Sequence, residues 1–188
     1  MNKLPNIIAI CGYKGSGKDT IANYLVEKYN YKHYKISTKV REVAELLFDL
    51  KNEDYENNKE VINDKWNVTP RSIMQFIGTD MFQYKIQELL PDIGRKFWIK
   101  TLLTDDLVNT IINNENNIVI SDLRFLHEYE ELKKINTNLC ILRVSNINIK
   151  KNDNHISENE FLNIPIHYEI DNSKNIIDLY ENLNNILN

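Results

Sequence analysis

Four residues near the start of the chain have the types and the spacing for phosphate chemistry. Gly12, Gly15, Gly17 and Lys18 fall in the order G-x-x-x-x-G-K. Glycines tolerate positive φ and carry no β-carbon, so successive backbone N–H groups can turn inward around a polyphosphate. Lys18 then reaches the outer phosphates, and a helix that starts there points the positive end of its dipole at the same anion. The hydroxyl residue that usually follows the lysine and meets magnesium is replaced by Asp19, with Thr20 one position later. Asp19 could approach a metal through water or meet an acceptor, or Thr20 could take the hydroxyl role in a shifted register.

Further along, Asp122 follows the apolar run Ile118-Val119-Ile120. A carboxylate at the end of a buried strand faces the phosphate loop in a doubly wound sheet. Arg124, two residues on, leans over the same crevice. The segment after Thr69-Pro70 sets Arg71, Gln75, Gly78 and Thr79 along one side of a helix, with Ile73, Phe76 and Ile77 on the core side. Arginine and glutamine one turn apart suit either a solvated face or a phosphate and a base edge. Arg95 and Trp98, near the start of a helix expected over 95–112, are cleft candidates, although packing suits Trp98 as well. The polar stretch 145–160 holds Lys150, Lys151, His155 and Glu158 and is long enough for a lid.

Periodicity supplies the elements that must position these groups. Ile7 to Cys11 has the length and β-branched content of a buried strand, and Ile21, Leu25 and Val26 follow at helical spacing. Strands are expected over 32–37, 117–121, 139–144 and 166–170. Helices are expected over 38–50, from residue 70, over 126–135 and at the end around Ile176 to Leu187, and 51–66 reads as an exposed insertion. Alternating strands and helices imply a mainly parallel α/β sheet covered on both faces.

At 188 residues the chain suits one domain, with a helical insert over about 38–112 and a lid over about 145–165. The net charge of −4 offers no basic stretch to neutralise a nucleic-acid backbone, so nucleic acid is not an expected partner. No run approaches the roughly 18 apolar residues of a membrane span. Cys11 and Cys140 each fall in an expected buried strand, which fits reduced thiols and a cytoplasmic setting. The abundance of asparagine, isoleucine and lysine reads as genome bias.

Together, Gly-Tyr-Lys-Gly-Ser-Gly-Lys-Asp-Thr (12–20), Thr-Pro-Arg-Ser-Ile-Met-Gln-Phe-Ile-Gly-Thr-Asp (69–80), Phe-Trp-Ile-Lys (97–100), Ser-Asp-Leu-Arg-Phe-Leu-His-Glu (121–128) and His-Ile-Ser-Glu (155–158) resemble the deoxynucleoside monophosphate kinases of large DNA phages and viruses. Phosphomevalonate kinases share part of the pattern. The resemblance implies a P-loop NTPase fold of three layers with a helical acceptor-binding insert and a lid loop, in the host cytoplasm if the source is viral. It implies ATP on Lys18 and the loop glycines, with Lys14 and Ser16 completing the loop. Asp19, Thr20 and Asp122 become the candidates for Mg²⁺, and Lys18, Asp19 and Arg124 for catalysis. Arg71, Gln75, Asp122, Arg124, Trp98 and His155 become the acceptor candidates.

The expected reaction moves the γ-phosphoryl of ATP onto a deoxynucleoside 5′-monophosphate such as dTMP or dGMP, with a lid lysine and Arg124 spreading the charge. The rival acceptors are phosphomevalonate or a ribonucleoside monophosphate. A rival of another class is a nucleotide-dependent switch, but no guanine-reading Asn-Lys-x-Asp follows a strand, and Lys151-Asn152-Asp153-Asn154 has the wrong order. A homodimer is the one assembly left open.

Overall fold

Strand β1 (Ile7–Cys11) is sealed from solvent at every residue and forms the middle of a five-stranded sheet of order β2-β3-β1-β4-β5 in a computed structural model that describes residues 4–135, 138–149 and 155–187. Its partners are β3 (Ile118–Ile120) on one side and β4 (Leu139–Ser145) on the other, both parallel to it. A strand hydrogen-bonded on both edges and covered on both faces must be apolar throughout, which is the Ile-Ile-Ala-Ile-Cys run. The outer strands β2 (Lys32–Tyr34) and β5 (Tyr168–Asp171) alternate more and meet solvent. Successive connections leave β1 first toward β2 and β3 and then toward β4 and β5. That reversal opens a crevice beyond the carboxyl ends of the central strands.

The chain divides into two compact units, one of Met1–Lys35 and Leu103–Asn188 and one of Ile36–Leu102. In the first, α1 (Lys18–Tyr29) and α8 (Ile176–Leu187) pack Ile21, Leu25, Leu179 and Leu183 against Ile8, Ile10 and Leu142 of the sheet. Also in this unit are α6 (Asp105–Ile112) and α7 (Leu126–Ile135).

The second unit is helical: α2 (Thr38–Phe48), α3 (Asn52–Glu56), α4 (Pro70–Gln75), a π-helix (Phe76–Tyr84) and α5 (Phe97–Leu102). The stretch 51–66 is exposed as expected, with no buried residue. It contains α3, and Trp66 sets its ring edge-on to Phe48 and donates from Nε1 to the Phe48 carbonyl at 2.8 Å. Two other expectations change here. The helix from Pro70 does not stay α: from Phe76 its turns widen, so Phe76 is 52% exposed while Gly78 lies against Val40 and Thr79 is buried. The helix expected over 95–112 breaks into α5 and α6, because Thr104 takes an extended backbone and caps α6 by accepting from the Leu107 N–H.

Two strand bounds also move: β2 stops at Tyr34 and β5 starts at Tyr168. Cys11 and Cys140 are buried free thiols, and burial pushes Cys140 up to about 11.

Candidate functional site

The turn after β1 carries Gly12, Gly15 and Gly17 at φ 144°, 77° and 101°, a run of left-handed and near-left-handed backbone that side chains resist. At Gly12 a β-carbon would lie 2.4 Å from the Val144 carbonyl oxygen, so the close approach of β1's end to β4 leaves room for glycine alone. Helix α1 starts at Gly17 with no side chain capping its first N–H groups, which leaves them for an anion. Lys18 Nζ donates to the Gly12 and Tyr13 carbonyls at 2.8 and 2.7 Å and so sits across the mouth of its own loop. Burial, helped by the nearby Arg124, brings the lysine down to about 8 against the opposing pull of Glu158, Asp19 and Asp122. Ser16 is buried, and its Oγ has no hydrogen-bond partner among the described residues.

Asp19, in the first turn of α1, is held from two sides. Its Oδ1 accepts from Ser121 Oγ at 2.6 Å and pairs with Lys35 Nζ at 2.9 Å. Partial burial works to raise the carboxyl, but Ser121 and Lys35 outweigh it and keep Asp19 below its ordinary value. Ser121 also meets His33 Nε2 at 2.7 Å. A serine has one proton, and an ionised carboxylate can only accept, so that proton goes to Asp19 and His33 Nε2 must be the donor. The polarity of the chain is therefore His33 to Ser121 to Asp19. Burial, with Lys35 nearby, lowers the imidazole's own pKa.

Asp122 lies buried at the end of β3. The backbone that follows it is pinned by Glu128, whose Oε2 accepts the Arg124 and Phe125 N–H groups at 2.9 and 3.0 Å. Arg124 reaches away to the segment after residue 155, where its Nη1 donates to the Ser157 carbonyl at 3.0 Å and pairs with Glu158. Burial alone would lower the guanidinium, but Glu158 more than offsets it and Arg124 stays charged. His155 caps the short 3-10 turn Ile156–Glu158, accepting the Ser157 N–H on Nδ1 at 3.2 Å.

The polar composition of 145–160 suggests a solvated loop. The structure instead buries Ser157, Glu158 and, just beyond, Phe161 and Ile164, because three anchors hold them: Arg124, Arg143 donating to the Leu162 and Ile164 carbonyls, and Tyr13 of the phosphate loop edge-on to Phe161 at 4.9 Å. Lys150 and Lys151, and with them the Lys151–Asn154 quartet, lie outside the described residues.

In the helical unit Arg71 is buried and ion-paired to Glu60, at the start of α4, where Thr69 accepts the Ser72 N–H. Gln75 ends α4 and is half-buried. Trp98 is 4% exposed, packs against Phe82 and Phe97, and donates from Nε1 to the Gly78 carbonyl at 2.8 Å, so its indole is interior. Inside the π-helix, buried Gln83 accepts from Arg95 Nε at 3.1 Å.

The structure thus gathers the loop, Asp19, Asp122 and Arg124 at the carboxyl ends of β1 and β3. It adds His33, Lys35 and Asn172, which no sequence signal marked, and Glu128, visible only as the end of the 121–128 motif. Glu158 was visible only as the end of the His-Ile-Ser-Glu motif. Among the described residues no three His, Cys, Asp or Glu side chains converge on a metal cage. No helix among them is long and apolar enough to cross a membrane.

A family model described as deoxynucleotide monophosphate kinase matches residues 47–183. A protein of Acanthamoeba polyphaga mimivirus, to which the same activity is provisionally assigned, is 27% identical over 190 residues, covering 94% of this chain and 93% of its own. Among solved structures, a dephospho-CoA kinase from Campylobacter jejuni superposes with a TM-score of 0.50 at 10% identity, covering 97% of both chains. A gluconokinase from Sinorhizobium meliloti 1021 does so at 0.50 and 8%, covering 99% of this chain and 95% of its own. Both show the fold, a mainly parallel sheet flanked by helices as in P-loop kinases.

Proposed function

The chain belongs to the deoxynucleotide monophosphate kinase family and is a phosphotransferase, and from that premise we propose that it moves the γ-phosphoryl group of ATP onto the 5′-phosphate of a deoxynucleoside monophosphate such as dTMP or dGMP. The observation that carries the donor half is the loop at Gly12–Lys18: three glycines at positive φ, an uncapped helix start and a lysine lying across the mouth. The buried Ser16 hydroxyl, lacking a partner among the described residues, gives that cradle one more donor than the protein uses. A triphosphate fits such a donor set.

Magnesium also fits. It takes one or two carboxylates and completes its shell with phosphate oxygens and water, so Asp19 and Asp122 suffice without a protein cage. When bound, the ion neutralises charge on the phosphates of the nucleotide. Thr20 remains the alternative to Asp19 in this role.

The acceptor oxygen is already anionic near neutral pH, so no strong base is required. Lys18 would move from the Gly12 and Tyr13 carbonyls to the phosphates, exchanging two neutral acceptors for charged ones. Asp19 is kept ionised by Ser121 and Lys35. Arg124 stays charged beside the loop and would stabilise the transferring group, with Glu158 fixing its direction. Arg71 and Gln75 serve the acceptor's phosphate and base. Trp98 and His155 would act indirectly, since the indole is interior and the imidazole Nδ1 caps its own turn.

The test is ADP release from MgATP in a coupled assay against a panel of deoxynucleoside and ribonucleoside monophosphates and phosphomevalonate. Release dependent on one or more deoxynucleotides is the expected result. Release with phosphomevalonate or ribonucleotides alone would overturn the acceptor, and slow hydrolysis independent of acceptor would overturn the transfer reaction.

A further inference from the structure

The phosphate loop is braced from outside by a side chain that comes 156 positions later. Asn172 follows β5, and both of its backbone polar groups are tied down. Its N–H donates to the Ser145 carbonyl at 2.8 Å, and its carbonyl accepts from Asn146 Nδ2 at 2.7 Å. From this fixed base the side-chain amide donates from Nδ2 to the Ser16 carbonyl at 2.9 Å. The same Nδ2 would lie 2.3 Å from a β-carbon at Gly17, so the absence of a side chain there makes room for the amide as well as for φ 101°.

The contact sets a direction. The Ser16 carbonyl and the Gly17 N–H belong to one peptide group, and in a trans peptide the two point opposite ways. A carbonyl drawn outward to Asn172 aims the Gly17 N–H into the loop. We propose that Asn172 is a positioning residue for the donor nucleotide: it fixes the Ser16–Gly17 peptide plane so that the Gly17 N–H faces the ATP phosphates. The amide touches no phosphate itself. It lowers the cost of ATP binding by holding a peptide that could otherwise rotate at two glycine-flanked bonds.

This inference rests on reading residues 12–20 as the donor site, and the experiment separates the two. Equilibrium binding of MgATP, and separately of the monophosphate accepted in the transfer assay, is measured for wild type and Asn172→Ala, together with thermal unfolding and the ¹⁵N-resolved amide shift of Gly17. Loss of one neutral hydrogen bond is expected to weaken ATP binding about fivefold while leaving the acceptor's affinity unchanged. In wild type, saturation with ATP should shift the Gly17 amide downfield, and the variant should show a smaller shift. Unchanged ATP affinity in the variant, or parallel loss of both ligands in step with its folded fraction, would overturn the proposal. Should the variant fail to fold, a Gly17 amide in wild type that does not respond to ATP overturns it equally. Wild-type protein that binds no ATP would fall on the functional reading and take the inference with it.

Discussion

Arg124 and Glu158, 34 positions apart, form an ion pair in which the acid is almost wholly buried and the arginine about one-third exposed. The same Arg124 Nη1 donates to the Ser157 carbonyl, so the guanidinium is aimed by a turn and not only attracted by a charge. Replacing Glu158 by Ala leaves the arginine's charge without that partner. The variant is expected to lose about 1.5–3 kcal/mol of stability, the range for a hydrogen bond to a charged group. Its turnover should fall by more than its affinity for either nucleotide. Urea unfolding and a separation of kcat from KM check both statements.

Lys35 and Ser121 together hold Asp19 below its ordinary pKa. Lys35→Met should therefore raise the Asp19 carboxyl toward the usual range, measurable as a ¹³C carboxyl titration. The sign for stability follows. A carboxyl depressed in the folded state contributes stability above its unfolded pKa and loses it as pH falls through the folded value. The variant should show a shallower loss of stability on acidification, and an unaltered Asp19 titration would contradict the pairing.

Burial brings Lys18 down to about 8 from a usual value near 10.5. Between those two values the unfolded chain binds the extra proton, so this residue makes folding stability rise with pH over that window. ATP binding has the opposite dependence, since phosphates need the ammonium form. ATP affinity is expected to fall above pH 8, and binding there should take up a proton. Calorimetry in buffers of different ionisation enthalpy detects that uptake. In Lys18→Ala, transfer should be abolished with the fold retained, and the proton uptake should vanish.

The Trp98 indole donates to the Gly78 carbonyl inside the π-helix. Trp98→Phe keeps most of the ring packing against Phe82 and Phe97 but removes that donor. The cost is expected to be about 1–3 kcal/mol, the range for depriving a buried acceptor of its partner. Chemical denaturation of the whole chain measures it.

What the residues determine by themselves is local. The apolar run Ile7–Cys11, the glycine spacing after it and the helical repeat of Ile21 and Leu25 define a strand, a phosphate loop and a helix, because chain stiffness, positive φ and burial period act over a few neighbours. Ile118-Val119-Ile120 followed by Asp122 is legible for the same reason. Tertiary structure alone decided which distant groups serve that loop. Asn172 was one asparagine among many, Lys35 a lysine just past a short edge strand, and Glu158 an acid in a polar stretch until Arg124, Arg143 and Tyr13 buried the segment around it. The π-helix was equally hidden. Its wider turn rotates Phe76 outward and Thr79 inward, and an α period fitted to residues 69–80 cannot anticipate a change that the packing of Gly78 on Val40 and the Trp98 hydrogen bond stabilise from outside the segment.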